Sequence, residues 1–220
     1  MLVAGVDEAG RGCIIGPLVV AGVLMKEEDL PVLRQLGVKD SKLLSPKKRQ
    51  ELFQKISLLA EKFHVVKLLP TEIDRAVECK RKLHKLNRLE AQTMTQILNT
   101  LKPDEAYVDA ADVFEERFKQ HIQEGLNVKA KITSRHRADK LYPVVSAASI
   151  IAKVERDKEI ETLKEVYGDF GSGYLADKKT LLFLRQWIQT HSEYPNCVRQ
   201  SWKTAKRIKN EKGTVQSKLA

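Results

Sequence analysis

Four carboxylates stand where short apolar runs end. Leu2-Val3-Ala4-Gly5-Val6 leads into Asp7 and Glu8, and Ala106-Tyr107-Val108 leads into Asp109. Asp139 lies inside the basic cluster Thr133-Ser134-Arg135-His136-Arg137-Ala138-Asp139-Lys140, just before the apolar stretch Pro143 to Val154. Hard divalent cations such as Mg²⁺ choose oxygen ligands, and converging acids without zinc-type partners fit them. Two such ions about 4 Å apart activate a water and stabilise the leaving oxygen of a phosphodiester. Neighbouring strand residues point to opposite faces, so Asp7 and Glu8 share a site only where the strand runs into a bulge or turn. The turn that follows is Gly10-Arg11-Gly12. Its glycines let a ligand approach the backbone amides while Arg11 supplies charge. A strand followed by an ordinary polar hairpin turn explains this stretch equally well. Each acid could equally serve as a helix cap or ion-pair partner, and for Asp109 and Asp139 spacing alone does not choose. Asp112, just ahead of a helix, suits an N-cap better than a metal.

These residues need elements to carry them. Leu2 to Val6 and Pro17 to Met25 read as two buried strands close enough in sequence for an antiparallel hairpin, with Gly16-Pro17 in the connection. Lys26 to Leu36 reads as a short amphipathic helix. Ser45-Pro46 is an N-cap and N1 pair that opens a helix from Lys47 to Phe63, with Leu52, Ile56, Leu59 and Phe63 at helical spacing. Asp40-Ser41-Lys42 precedes it, a lysine and a hydroxyl beside a helix N-terminus that could hold a phosphate or form a solvated turn. A strand over His64 to Leu69 comes next, followed by helices near Thr71 to Val77 and over Leu86 to Leu101. Between them lies the basic block Lys80-Arg81-Lys82-Leu83-His84-Lys85. Ala106 to Asp109 is the fourth strand, Val113 to Gln123 a helix and Val128 to Ile132 the fifth strand. Pro143 onward merges into a long helix, apolar at its start and therefore packed in the core. The glycine-rich loop Gly168 to Tyr174 marks a boundary, after which come a helix over Lys178 to His191 and a basic tail. From Cys197 to Ala220 seven Lys or Arg face a single acid, Glu211.

The chain of 220 residues carries a net charge of +10 and a pI near 9.4, which favours a polyanionic partner such as nucleic acid. Cys13, Cys79 and Cys197 are widely spaced and odd in number, which argues against a disulfide framework or a structural zinc. The N-terminus lacks the pattern of a signal peptide, and the longest apolar run, Ile14 to Met25, is short and broken by glycine. A soluble cytoplasmic protein without a membrane partner is the expectation.

Gly5-Val6-Asp7-Glu8-Ala9-Gly10-Arg11-Gly12, followed by Gly16-Pro17, resembles the opening of type 2 ribonuclease H, the ribonuclease HII family. The match continues in the family's order through Asp40-Ser41-Lys42, Tyr107-Val108-Asp109, His136-Arg137-Ala138-Asp139, the run Ser146 to Lys153, and Gly171-Ser172-Gly173-Tyr174. Val198-Arg199 and Ser201-Trp202-Lys203-Thr204 resemble the C-terminal segment, especially of archaeal members, so the likeness covers Leu2 to about Arg207.

The resemblance implies an α/β ribonuclease H-like fold, with a five-stranded mixed sheet flanked by helices and a helical C-terminal part. It divides the chain into a catalytic domain over 1–174 and a helical basic region over 175–220. The implied activity is endonucleolytic cleavage of RNA in RNA–DNA hybrids and 5′ of ribonucleotides embedded in duplex DNA, by a two-metal-ion mechanism that leaves 3′-OH and 5′-phosphate ends. Asp7, Glu8, Asp109 and Asp139 become the catalytic acids that bind Mg²⁺ or Mn²⁺. Gly10, Arg11 and Gly12 contact the ribose 2′-OH and backbone, Tyr174 stacks on the neighbouring sugar, and Ser41, Lys42, Lys153, Arg11, His136 and Arg137 hold phosphates. The implied setting is DNA replication and repair, and nothing in the chain demands more than a monomer.

Two departures stand out. Leu175 follows the Gly-Ser-Gly-Tyr motif where members of the family usually carry proline. Gln216 and Leu219 match the start of a sliding-clamp-binding peptide, but no aromatic residue follows them. A DNA-only nuclease of the same fold, such as a junction resolvase, would share the acids but has no need of the Gly10–Gly12 and Tyr174 elements. A catalytically silent binding module is disfavoured by the intact acids, which would repel phosphates.

Overall fold

The computed structural model describes residues 1–38, 44–79 and 85–216, with side chains as far as Glu211. Asp40, Ser41, Lys42 and the block Lys80 to His84 lie outside the described residues.

Five strands form one sheet in the order β3-β2-β1-β4-β5. β1 (Leu2–Ala9) and β2 (Leu18–Lys26) are the expected antiparallel hairpin, in register from Leu2↔Lys26 to Ala9↔Val19. β1 also pairs in parallel with β4 (Glu105–Asp109), which pairs in parallel with β5 (Lys131–Arg135), so the sheet is mixed. β3 (Lys62–Leu68) completes the β2 edge.

The helices are α1 (Leu30–Gln35), α2 (Pro46–Leu59), α3 (Pro70–Glu78), α4 (Lys85–Leu101), α5 (Glu115–Gln123), α6 (Ala138–Leu141), α7 (Pro143–Tyr167), α8 (Lys178–Thr190) and α9 (Lys203–Gln216). Ser45 caps α2 as its sequence demands, its hydroxyl accepting from Lys48 N at 3.2 Å. α1, with Pro31 in its first turn, follows a 3-10 turn at Glu27–Asp29, which shortens the helix expected over 26–36.

Three boundaries depart from the sequence reading. α2 stops at Leu59, and Phe63 belongs to β3. The fifth strand is Lys131–Arg135 rather than 128–132, because pairing with β4 sets its register: Glu105 lies opposite Lys131 and Asp109 opposite Arg135. β1 does not end at the acids but continues through Ala9, held there by β2.

By contacts the chain groups into two compact units. The first comprises Met1–Ala9, Val19–Lys67 and Leu83–Glu155, and the second Gly10–Leu18, Leu68–Lys82 and Arg156–Ala220. In the first, Val3 of β1 and Val19, Ala21, Val23 and Met25 of β2 pack with Leu52 and Ile56 of α2 and with Val144, Ala147, Ala148 and Ile151 of α7. Alternation along the strands sends Gly22 to the other face, where a β-carbon would lie 2.3 Å from Ile97 of α4. In the second, Ile14 and Ile15 pack with Ile160, Phe170, Leu184, Ile188, Val198 and Ile208. Among the described residues no helix is long and apolar enough to cross a membrane.

The opening of α7 reaches β1 only because Gly5 has no side chain. A β-carbon there would sit 2.3 Å from the carbonyl carbon and oxygen of Val144. Backbone atoms cannot rotate out of the way, so Gly5→Ala must separate helix from sheet. We expect Gly5→Ala to cost about 3 kcal/mol or more in urea unfolding. A loss under about 1 kcal/mol would mean that α7 shifts freely over β1.

Candidate active site

β1 and β4 bring the first acids together. Their parallel register ends at Val6↔Val108, and one further step aligns Asp7, two residues before the end of β1, with Asp109, the last residue of β4. Both side chains belong to the face that also carries Gly5 and Tyr107, the face beneath α7. Glu8 starts from the opposite face, yet its carboxylate joins the other two: ligand oxygens of Asp7, Glu8 and Asp109 all lie within 4.8 Å of one another. Three oxygen donors and no sulfur or imidazole are the donor set of a hard cation.

This convergence is electrostatically costly. Asp7 is buried, and its pKa is pushed up to about 7, first by loss of water and then by the negative charge of Asp109. A hydrogen bond with Ser149, the charge of Lys153 and the Glu8 backbone amide, which donates to Asp7 Oδ1 at 2.7 Å, oppose the rise. Asp109 Oδ1 accepts from Ala138 N at 2.7 Å, the first residue of α6. A divalent cation would supply the positive charge that this cluster lacks, so the residues present fit one.

Asp139 is buried in the first turn of α6, and its carbonyl oxygen accepts from the Ser146 hydroxyl. Its carboxylate lies outside the group formed by the other three. Arg137, just before α6, adopts a left-handed conformation with φ 55°, a strain of about 1 kcal/mol. Its side chain is exposed. His136 is occupied locally: its N donates to Glu115 Oε1 at 2.7 Å, and its Nε2 is 3.2 Å from the Val113 carbonyl oxygen. Lys153 Nζ donates to Ser149 Oγ at 2.8 Å.

Ser149 was not singled out by sequence reasoning. The available signal was its place one helical turn before Lys153, within the Ser146–Lys153 run. Asp112 serves as a local brace. It accepts from Phe114 N at 3.0 Å and from Arg117 Nε at 3.0 Å, with a second bond from Arg117 Nη2. Burial alone would raise its pKa, but these bonds outweigh burial and hold it well below the usual carboxylate range. It stands ahead of α5, whose N-cap position is Phe114.

The second unit holds the glycine loops. Gly10, with φ 84°, leaves no room for a side chain, because a β-carbon would lie 2.6 Å from Arg156 Nε and 2.7 Å from the Pro17 carbonyl oxygen. The Gly173 carbonyl accepts from Ile14 N at 2.8 Å and from Ile15 N at 3.2 Å, joining this loop to the one that carries Tyr174. The Arg156 guanidinium lies 4.6 Å from the centre of the Tyr174 ring and donates to the Ser172 carbonyl at 2.9 Å. Tyr174 keeps 37% of its surface exposed, and burial of the remainder pushes its phenol pKa upward. Arg199, also unforeseen, is completely buried beneath Gly10–Gly16.

Because Asp7 has a folded pKa above its unfolded value, it favours the fold at low pH. That contribution is lost as pH rises through about 7. Asp109→Asn removes one cause of the shift. With chelator present, the variant should therefore lose less stability than the parent protein between about pH 5 and about pH 8 in urea titrations. Parallel pH profiles would show that Asp109 does not act on Asp7.

The model of the family described as Ribonuclease HII matches residues 4–205. The Ribonuclease HII of Thermococcus sibiricus is 47% identical over 223 residues, covering 100% of this chain and 97% of the relative. The crystal structure of ribonuclease H2 from Pyrococcus horikoshii OT3 is similar with TM-score 0.88 and 45% identity, covering 96% of this chain and 98% of that one. The ribonuclease HII in the PCNA:RNase HII complex of Archaeoglobus fulgidus is similar with TM-score 0.83 and 46% identity, covering 92% and 96%.

Proposed function

The chain belongs to the ribonuclease HII family of ribonuclease H hydrolases, with the ribonuclease H-like fold, and from that premise we propose how it works. It cleaves the RNA strand of RNA–DNA hybrids and nicks duplex DNA on the 5′ side of an embedded ribonucleotide, leaving a 3′-OH and a 5′-phosphate. The observation that carries this reading is the convergence of Asp7, Glu8 and Asp109 near the C-terminal ends of β1 and β4, in a chain whose net charge is +10.

Asp7, Glu8, Asp109 and Asp139 are the residues we assign to hold two divalent ions, Mg²⁺ or Mn²⁺. Ions in that position would activate a water and stabilise the leaving oxygen. The protein's own part is to hold four acids at fixed places, with Ser149 and Lys153 keeping Asp7 available in its charged form. The raised pKa of Asp7 supports the reading, since catalytic sites are where such shifts gather.

Selectivity for ribonucleotides we assign to Gly10, Arg11, Gly12 and Tyr174. The 2′-OH is what separates RNA from DNA at a given backbone position, and exposed amides can read it. Peptide geometry supports this. The carbonyls of Gly10 and Arg11 both accept from Arg199, so the amides of Arg11 and Gly12, antiparallel to them across trans peptides, point away from that arginine. Ser41, Lys42, His136, Arg137 and Lys153 are the proposed phosphate contacts.

We retain 1–174 as the catalytic part and 175–220 as its helical basic extension, working as a monomer in DNA replication and repair in the cytoplasm. The Archaeoglobus relative assembles with PCNA, and the tail carrying Gln216 and Leu219 is where we place a sliding-clamp contact here.

The test is an end-labelled duplex with one ribonucleotide, beside an all-DNA duplex, incubated with Mg²⁺ or Mn²⁺ and then with chelator. Metal-dependent nicking 5′ of the ribonucleotide alone is expected. Cutting of both duplexes would replace this reading with a general nuclease, and binding without cutting by a recognition module. Tyr174→Ala should lose about tenfold more activity on the single ribonucleotide than on a long hybrid, the worth of one stacking contact. Equal losses would remove Tyr174 from junction sensing.

A further inference from the structure

Arg199 is an unusual place for a charge. Its guanidinium is completely buried and is held chiefly by backbone carbonyls: Nη2 donates to Gly10 O at 2.7 Å and Gly16 O at 3.1 Å, Nη1 to Arg11 O at 2.7 Å, and Nε to Gly16 O at 3.2 Å. Its backbone N donates to Ile14 O at 2.8 Å, and its guanidinium carbon lies 5.1 Å from the centre of the Trp202 ring. A planar fork of donors can serve three carbonyls together, whereas a lysine ammonium acts as a point. Burial pulls the arginine's pKa down, and the charge of Asp74 works against that fall.

Asp74 lies on α3 and meets the residues that directly follow Arg199. Its Oδ2 accepts from Gln200 N at 2.8 Å, and its Oδ1 accepts from Ser201 N at 3.0 Å and Ser201 Oγ at 2.5 Å. These charge-assisted bonds fix the backbone from which the arginine reaches inward. The same helix carries a separate tie to α9, the surface pair of Glu78 Oε1 with Lys206 Nζ at 2.8 Å.

We propose that Asp74 is a positioning residue for the Gly10–Gly12 loop, acting through Arg199. One carboxylate on α3 fixes residues 200 and 201, these aim the arginine, and the arginine turns the Gly10 and Arg11 carbonyls inward. The amides of Arg11 and Gly12 are thereby set in the one orientation that can read a 2′-OH. The link to ribonucleotide selectivity rests on the function proposed above, whereas the link from Asp74 to the loop does not.

The test uses the full chain with Asp74→Asn, Arg199→Lys, the double variant, and Glu78→Gln as a control that breaks only the surface pair. Asn keeps one acceptor oxygen where Asp has two, so the fold has a gentler variant than Asp74→Ala. In the substrate-free protein, NMR order parameters of the Arg11 and Gly12 amides should fall in Asp74→Asn and Arg199→Lys but not in Glu78→Gln. Unchanged order parameters in Asp74→Asn would overturn the relay whatever the substrate.

On substrates, each single variant should lower the ratio of kcat/KM for a single embedded ribonucleotide to that for a long hybrid by about tenfold, the effect of one misplaced hydrogen bond. The double variant should lose no more than the worse single one, as members of one chain of contacts do. Additive losses, or a lower melting temperature with the ratio intact, would overturn the positioning role. If the parent protein shows no preference for the ribonucleotide, the functional reading fails instead, and the order parameters still judge the relay.

Discussion

Like charges forced together in a place with little water dominate the first unit. The parallel register of β1 and β4 aligns Asp7 with Asp109 on one face of the sheet, and Glu8 joins them from the other. Nothing in a carboxylate's own chemistry favours this arrangement, so neighbouring structure must impose it. α7 lies so close over β1 that Gly5 has no room for a β-carbon, and it carries the Ser149 and Lys153 that act on Asp7. On the other face α4 comes down over Gly22 in the same way. The apolar packing of both faces therefore opposes a repulsion that the acids cannot relieve themselves.

The second unit holds a burial problem of the opposite sign. Arg199 has lost its water, and the negative ends of carbonyl dipoles from Gly10, Arg11 and Gly16 replace it. Because each of those carbonyls belongs to the glycine loop, solvating the arginine and shaping the loop are one event. Arg156 does similar work beside it, filling the space that a side chain at Gly10 would need while it lies against Tyr174 and holds Ser172. Gly10 thus has a steric reason to be glycine that is independent of any ligand.

Much of this was legible in the residues. The hairpin of β1 and β2 followed from two apolar runs joined by Gly16-Pro17, and the start of α2 followed from Ser45-Pro46. Asp7, Glu8 and Asp109 were picked out by standing where apolar runs end, a local signal. The misread boundaries share a cause. Phe63 falls in helical phase with Leu59, so periodicity extended α2, but pairing at the sheet edge claims residues 62–68 for β3. Val128 to Ile132 reads as a strand by composition, whereas partnership with β4 begins at Lys131. Register is a property of two strands, and one segment alone does not carry it.

Arg199 and Ser149 were missed for a further reason: each owes its role to partners brought near by the fold. Val198-Arg199 matched a family segment, but a basic tail gives no hint that one of its arginines is fully buried. Lys153 was expected to serve phosphates, yet in the protein alone it donates to Ser149 while its charge bears on Asp7. Both uses ask the same of the side chain, a positive charge placed where negative charge gathers.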